Sequence, residues 1–99
     1  MATYTVAAGN VGSPVFTTTG GSTVDVVTFT DDLPQVEMVN GGTADAWYTL
    51  DGTDPAVNGG ASYYLPASSS DVRGVRTSGG TVVKITSASA TQIRAQRGD

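Results

Sequence analysis

The 99 residues include no cysteine and no histidine, and these two absences remove much of the usual catalytic and metal chemistry. Without cysteine there is no disulfide, no thiolate zinc site and no thiol nucleophile. Without histidine, the commonest general base and the commonest transition-metal ligand are missing. No apolar run approaches the roughly 20 residues of a membrane-spanning helix. Met1-Ala2-Thr3-Tyr4 does not open a cationic segment followed by an apolar one, so no signal peptide is expected. Helical periodicity is lacking too, since no Gly- and Pro-free window sets apolar residues at three-and-four spacing.

Positive charge is absent from most of the chain. Residues 1–72 contain no Lys or Arg and carry eight of the nine acids, while Arg73, Arg76, Lys84, Arg94 and Arg97 all fall in the last 27 residues. The net charge is −4. Such segregation admits two readings: cations on solvated strand faces pairing with acids of neighbouring strands, or a polar docking surface. Five cations without an aromatic cluster in an acidic protein make a poor phosphate footprint, so no nucleic-acid partner is expected.

What the chain does have is short alternating segments separated by turn residues. A single domain spans 1–99, with 1–15 a candidate docking arm because Gly9, Gly12 and Pro14 punctuate it. Thr3–Val6, Ser22–Thr30, Gln35–Asn40, Ala46–Leu50, Tyr63–Leu65, Val72–Arg76, Thr81–Thr86 and Gln92–Gln96 read as strand segments, and Val15–Thr18 as a short candidate beside them. Gly20-Gly21, Asn40-Gly41-Gly42 and Ser78-Gly79-Gly80 read as turns. Seven or eight short strands at roughly ten-residue spacing predict an all-β, single antiparallel β-sandwich, Ig-like or related. The core is expected from Val24, Val26, Val36, Met38, Trp47 or Tyr48, Leu50, Val83 and Ile85.

No constellation of side chains points to catalysis. Asp51-Gly52-Thr53-Asp54-Pro55 puts two carboxylates three residues apart, but Asp-Gly and Asp-Pro are ordinary turn chemistry, and calcium needs six to eight oxygens. Ser68-Ser69-Ser70 has no nearby base to activate it and reads as a loop. The Gly-Gly pairs lack the P-loop pattern. The chain is therefore read as a non-enzyme with no cofactor and no metal. Trp47 admits two readings, a core-filling aromatic or part of a sugar-stacking platform with Tyr48, Tyr63 and Tyr64.

Four runs carry a family likeness. Val36-Glu37-Met38-Val39-Asn40, Ala46–Pro55, Tyr63-Tyr64-Leu65-Pro66-Ala67 and Thr81–Ser87 together resemble small virion proteins of tailed bacteriophages, those of actinobacterial phages especially. The resemblance covers about residues 35–97. It implies a β-sandwich that decorates a capsid or sits on a tail, with the major capsid protein or another virion protein as partner. Tyr48–Pro55 is also similar to the non-catalytic β-sandwich module found beside chitin-degrading glycosidase domains, but the chain's own initial Met favours the virion reading. Neither resemblance supplies functional residues. Charge and exposure alone nominate Thr3, Tyr4, Val6, Arg94 and Arg97 as interface residues. They would meet a shell or a second copy (a trimer, for instance), with no membrane partner.

Overall fold

The computed structural model describes residues 3–6, 15–30, 35–74 and 81–97. Among them there are nine strands and no helix: β1 (Thr3–Val6), β2 (Val15–Thr17), β3 (Asp25–Phe29), β4 (Gln35–Asn40), β5 (Ala46–Thr49), β6 (Tyr63–Leu65), β7 (Ser69–Gly74), β8 (Thr81–Thr86) and β9 (Gln92–Arg97). They form a five-stranded sheet in the order β1-β3-β8-β5-β6 and a four-stranded sheet in the order β2-β9-β4-β7. The chain is thus an all-β two-sheet sandwich, with nine described strands where the sequence predicts seven or eight. The pairing is not wholly antiparallel, because β1 lies parallel to β3, Tyr4 opposite Val27.

Connectivity differs from that of a meander. Of the consecutive strand pairs, only β5 and β6 lie in the same sheet; the others change sheet. Asn40-Gly41-Gly42 is a turn as expected, yet it carries the chain from one sheet to the other. Buried Asn40 fixes this corner. Its amide donates to the carbonyls of Ala44 (2.8 Å) and Leu65 (3.1 Å), and its oxygen accepts from Gly42 N–H and the Thr91 hydroxyl. Gly42 lies so close to Thr91 that a Cβ would overlap the hydroxyl. A buried amide with its hydrogen-bonding capacity used carries little desolvation penalty.

Period-two alternation turns Val27, Phe29, Val36, Met38, Ala46, Tyr48, Leu65, Val83, Ile85, Ile93 and Ala95 into a fully buried core, with Tyr4 and Leu50 packed against it. The expected Val36, Met38, Tyr48, Val83 and Ile85 are all there. On β3 the faces are reversed: Val27 and Phe29 are buried, whereas Val24 and Val26 remain partly exposed. Both faces of that segment are apolar, and by residue type Asp25 marks the Phe29 face as the wet one. Asp25 is nevertheless buried, because Thr19 donates both its N–H and its hydroxyl to the carboxylate at 2.7 Å. These charge-assisted bonds offset the cost of taking the acid out of water.

Ser69 and Ser70 are strand residues of β7 rather than loop, opposite Asn40 and Val39. Trp47 faces outward and is partly exposed, so Tyr48 alone of that pair fills the core. The expected Ser78-Gly79-Gly80 turn and residues 7–14 lie outside the described residues.

Candidate functional site

Five of the acids serve the fold. Asp25 anchors Thr19 as above. Asp45 accepts from Ala67 N–H (2.9 Å) and Tyr64 OH (2.9 Å), and these bonds hold its carboxyl below its usual pKa. Asp51 accepts from the Thr53 hydroxyl and from Thr53 N–H, closing a turn in which Gly52 takes φ +86°, and is lowered likewise. Asp54 pairs with Lys84 at 3.1 Å. Asp71 is described below. No group of three His, Cys, Asp or Glu is placed to hold a metal ion among the described residues.

The outer faces of the two sheets differ. On the five-stranded sheet the long connection 51–62 folds back as a roof: the Thr49 hydroxyl donates to Thr53 O, Asp54 reaches Lys84, and Pro55 is buried. Outward-facing Thr49 is consequently only 3% exposed. Trp47 and Tyr64, paired across β5 and β6, stack with centroids 5.3 Å apart beside it. On the four-stranded sheet nothing among the described residues covers the outward row Val15–Arg94–Val39–Ser70, which crosses all four strands. Val15 is 45% and Val72 49% exposed. Val15, Val39, Gly41, Gln92, Ile93 and Arg94 line a shallow depression of about 110 Å³ there. Arg94 makes no ion pair with any described residue.

A third feature closes the flank where β6 and β7 meet. Asp71 and Arg73 lie opposite core residues Met38 and Val36, so alternation aims them between the sheets. Asp71 Oδ2 accepts from Tyr48 OH (3.0 Å), across the sandwich, and from Arg73 Nε (2.8 Å). The Arg73 guanidinium lies 4.3 Å from the centre of the Tyr63 ring, a cation–π arrangement. Burial pushes the Tyr48 phenol well above its usual pKa.

The sequence-nominated residues are divided among these places. Thr3 is exposed on β1, Tyr4 packs against the core, and Val6 pairs with Phe29 at the end of β1. Arg94 stands in the middle of the uncovered face, and Arg97 ends β9 opposite Val36. β1 and Arg94 belong to different sheets. Val15 ends the candidate docking arm 1–15, but sequence reasoning missed Val39 and Val72, whose only signal is that they alternate with inward neighbours, and missed the Asp71–Arg73 clasp. No protein-family model, curated protein or solved structure matches the chain.

Proposed function

We propose that this Ig-like or related β-sandwich is a non-enzymatic accessory subunit of a bacteriophage particle, a capsid decoration protein that binds the major capsid shell through the outer face of its four-stranded sheet. The observation that carries the reading is that uncovered face: half-exposed Val15 and partly exposed Val39 flank Arg94, which makes no ion pair with any described residue, and half-exposed Val72 lies farther along the same face. Apolar side chains around one cation form the compact centre that a docking patch needs. The acids that could otherwise suggest hydrolysis are tied into turns and ion pairs, which supports a binding role. On a shell, many copies of a weak contact suffice, because neighbouring contacts act at high effective concentration.

Co-sedimentation of the purified chain with phage heads and, separately, tails tests this. Val15→Asp and Arg94→Glu should each lower occupancy on heads at least tenfold while leaving the circular dichroism unchanged. The reading fails if the wild type does not sediment with heads, or if both variants retain full occupancy in raised salt, where exposed charge contacts weaken.

The second reading is a carbohydrate-binding module, and the Trp47–Tyr64 stack favours it, with Tyr64 50% exposed. Tyr48 drops out of that platform because its ring is buried. Retention on immobilised polysaccharide that is lost in Tyr64→Ala would favour this alternative.

A further inference from the structure

We propose that two copies of the chain pair edge to edge through β7, antiparallel and in register about Val72, to form a dimer with one continuous eight-stranded sheet. β7 ends the four-stranded sheet, and β4 is its only hydrogen-bonded neighbour among the described residues. At six residues it is longer than each of the other edge strands, β1, β2 and β6. An edge of this length presents unpaired N–H and C=O groups that another strand can complete.

The pleat and the charges together select the register. A two-fold axis perpendicular to the sheet keeps inward side chains on one side in both copies. Inward residues must then oppose inward ones, so the axis has to pass through a residue. Centring on Asp71 would set Asp71 against Asp71 of the second copy, and centring on Arg73 would set Arg73 against its own copy. Centring on Val72 sets each Asp71 opposite an Arg73, twice, and brings the two half-exposed Val72 side chains together. Opposite charges and apolar pairs directly across a ladder are favourable, and like charges there are not. Within one copy Asp71 uses only Oδ2. Its Oδ1 accepts from no described residue, and so can receive the second guanidinium. The pairing also turns the two uncovered outer faces to the same side, although the inference does not depend on what those faces bind.

The absence of cysteine makes the test direct. Val72→Cys places the only thiols on the axis, with Cα atoms about 4.5–5.5 Å apart, inside the range of a disulfide. Ser70→Cys, opposite Gly74 of the other copy, leaves its thiols roughly 13 Å apart along the strands. Oxidised Val72→Cys should run as a covalent dimer on a non-reducing gel at dilutions where Ser70→Cys stays monomeric. In sedimentation equilibrium the wild-type mass should rise from 10.0 kDa toward twice that value with concentration. Arg73→Asp and Asp71→Arg should each remain monomeric, and an equimolar mixture of the two should regain the dimer. If Asp71→Arg fails to fold, Val72→Lys serves in its place as a folded variant expected to be monomeric. A wild type that holds monomer mass up to about 1 mM, the weakest dissociation constant worth calling specific, overturns the proposal. So does Ser70→Cys cross-linking as readily as Val72→Cys.

Discussion

On the five-stranded sheet an outward threonine, Thr49, is nearly as buried as a core residue, whereas on the four-stranded sheet outward valines stand half in water. The residue types suggest the reverse. The difference comes from one connection: residues 51–62 lie over β5 and β8, giving Lys84 its carboxylate and Thr49 its acceptor. No described connection does the same for β9 and β4, and Arg94 makes no ion pair with any described residue. Exposure in a sandwich is therefore set as much by where a long loop lies as by the polarity of the strand beneath it.

The largest test of this contrast strikes below both faces. Phe29→Ala under the roofed sheet and Met38→Ala under the bare one should each cost about 3–5 kcal/mol, because the core between the sheets is shared. For a domain of this size that is a fall in melting temperature of roughly 12 °C or more by calorimetry. If Met38→Ala were nearly silent, the bare side would not be part of the same core.

A smaller effect is expected at the clasp joining the sheets. Tyr48→Phe removes a hydrogen bond to a carboxylate, a loss of about 1.5–3 kcal/mol. The folded-state pKa of Tyr48 is raised. Its contribution is therefore complete below the unfolded value of about 10 and is lost as pH rises through the folded one. Thermal melts of the wild type should destabilise progressively above about pH 10, and Tyr48→Phe should flatten that alkaline limb. An unchanged limb would mean the phenol titrates freely.

The smallest effects sharpen the contrast between the faces themselves. Thr49→Val strands the Thr53 carbonyl under the roof and should cost about 1 kcal/mol. Val15→Thr and Val72→Thr on the uncovered face should stay within about 0.5 kcal/mol of wild type. Urea melts resolve these differences, and equal costs on the two faces would show that the four-stranded sheet is covered after all.

Much of the fold is legible in the residues because alternation is clean where one face is polar: β4 and β8 place Val36, Met38, Val83 and Ile85 as read. It fails on β3, where both faces are apolar and the deciding interaction, Thr19 with Asp25, is a turn contact that periodicity does not encode. β7 escapes because serine favours loops on its own, while here β4 supplies the ladder that holds Ser69 and Ser70 extended. The parallel partner of β1 lies about 23 residues along the chain, across an excursion through the other sheet. The clasp is hidden for the same reason, since Tyr48 and Asp71 meet only once two sheets are stacked. The Asp71-x-Arg73 spacing, which puts both charges on one face, was the available clue. Of the residues on the uncovered face, charge alone nominates Arg94 and the 1–15 arm includes Val15, while Val39 and Val72 need the register.

The strand order also has a consequence for how the chain is made. β8 is the middle strand of one sheet, and β9 lies between β2 and β4 in the other. The last two of these strands to leave a ribosome are thus those on which earlier strands must pair. Among the described residues β2 has no ladder partner but β9, and β3 has only the short β1 until β8 arrives. Nascent chains stopped before residue 81 hold the outer strands of both sheets and lack the strand that joins them in each. Folding of the sandwich must therefore wait until β8 and β9 have been made, and it then proceeds through long-range pairings of the kind that take milliseconds to seconds.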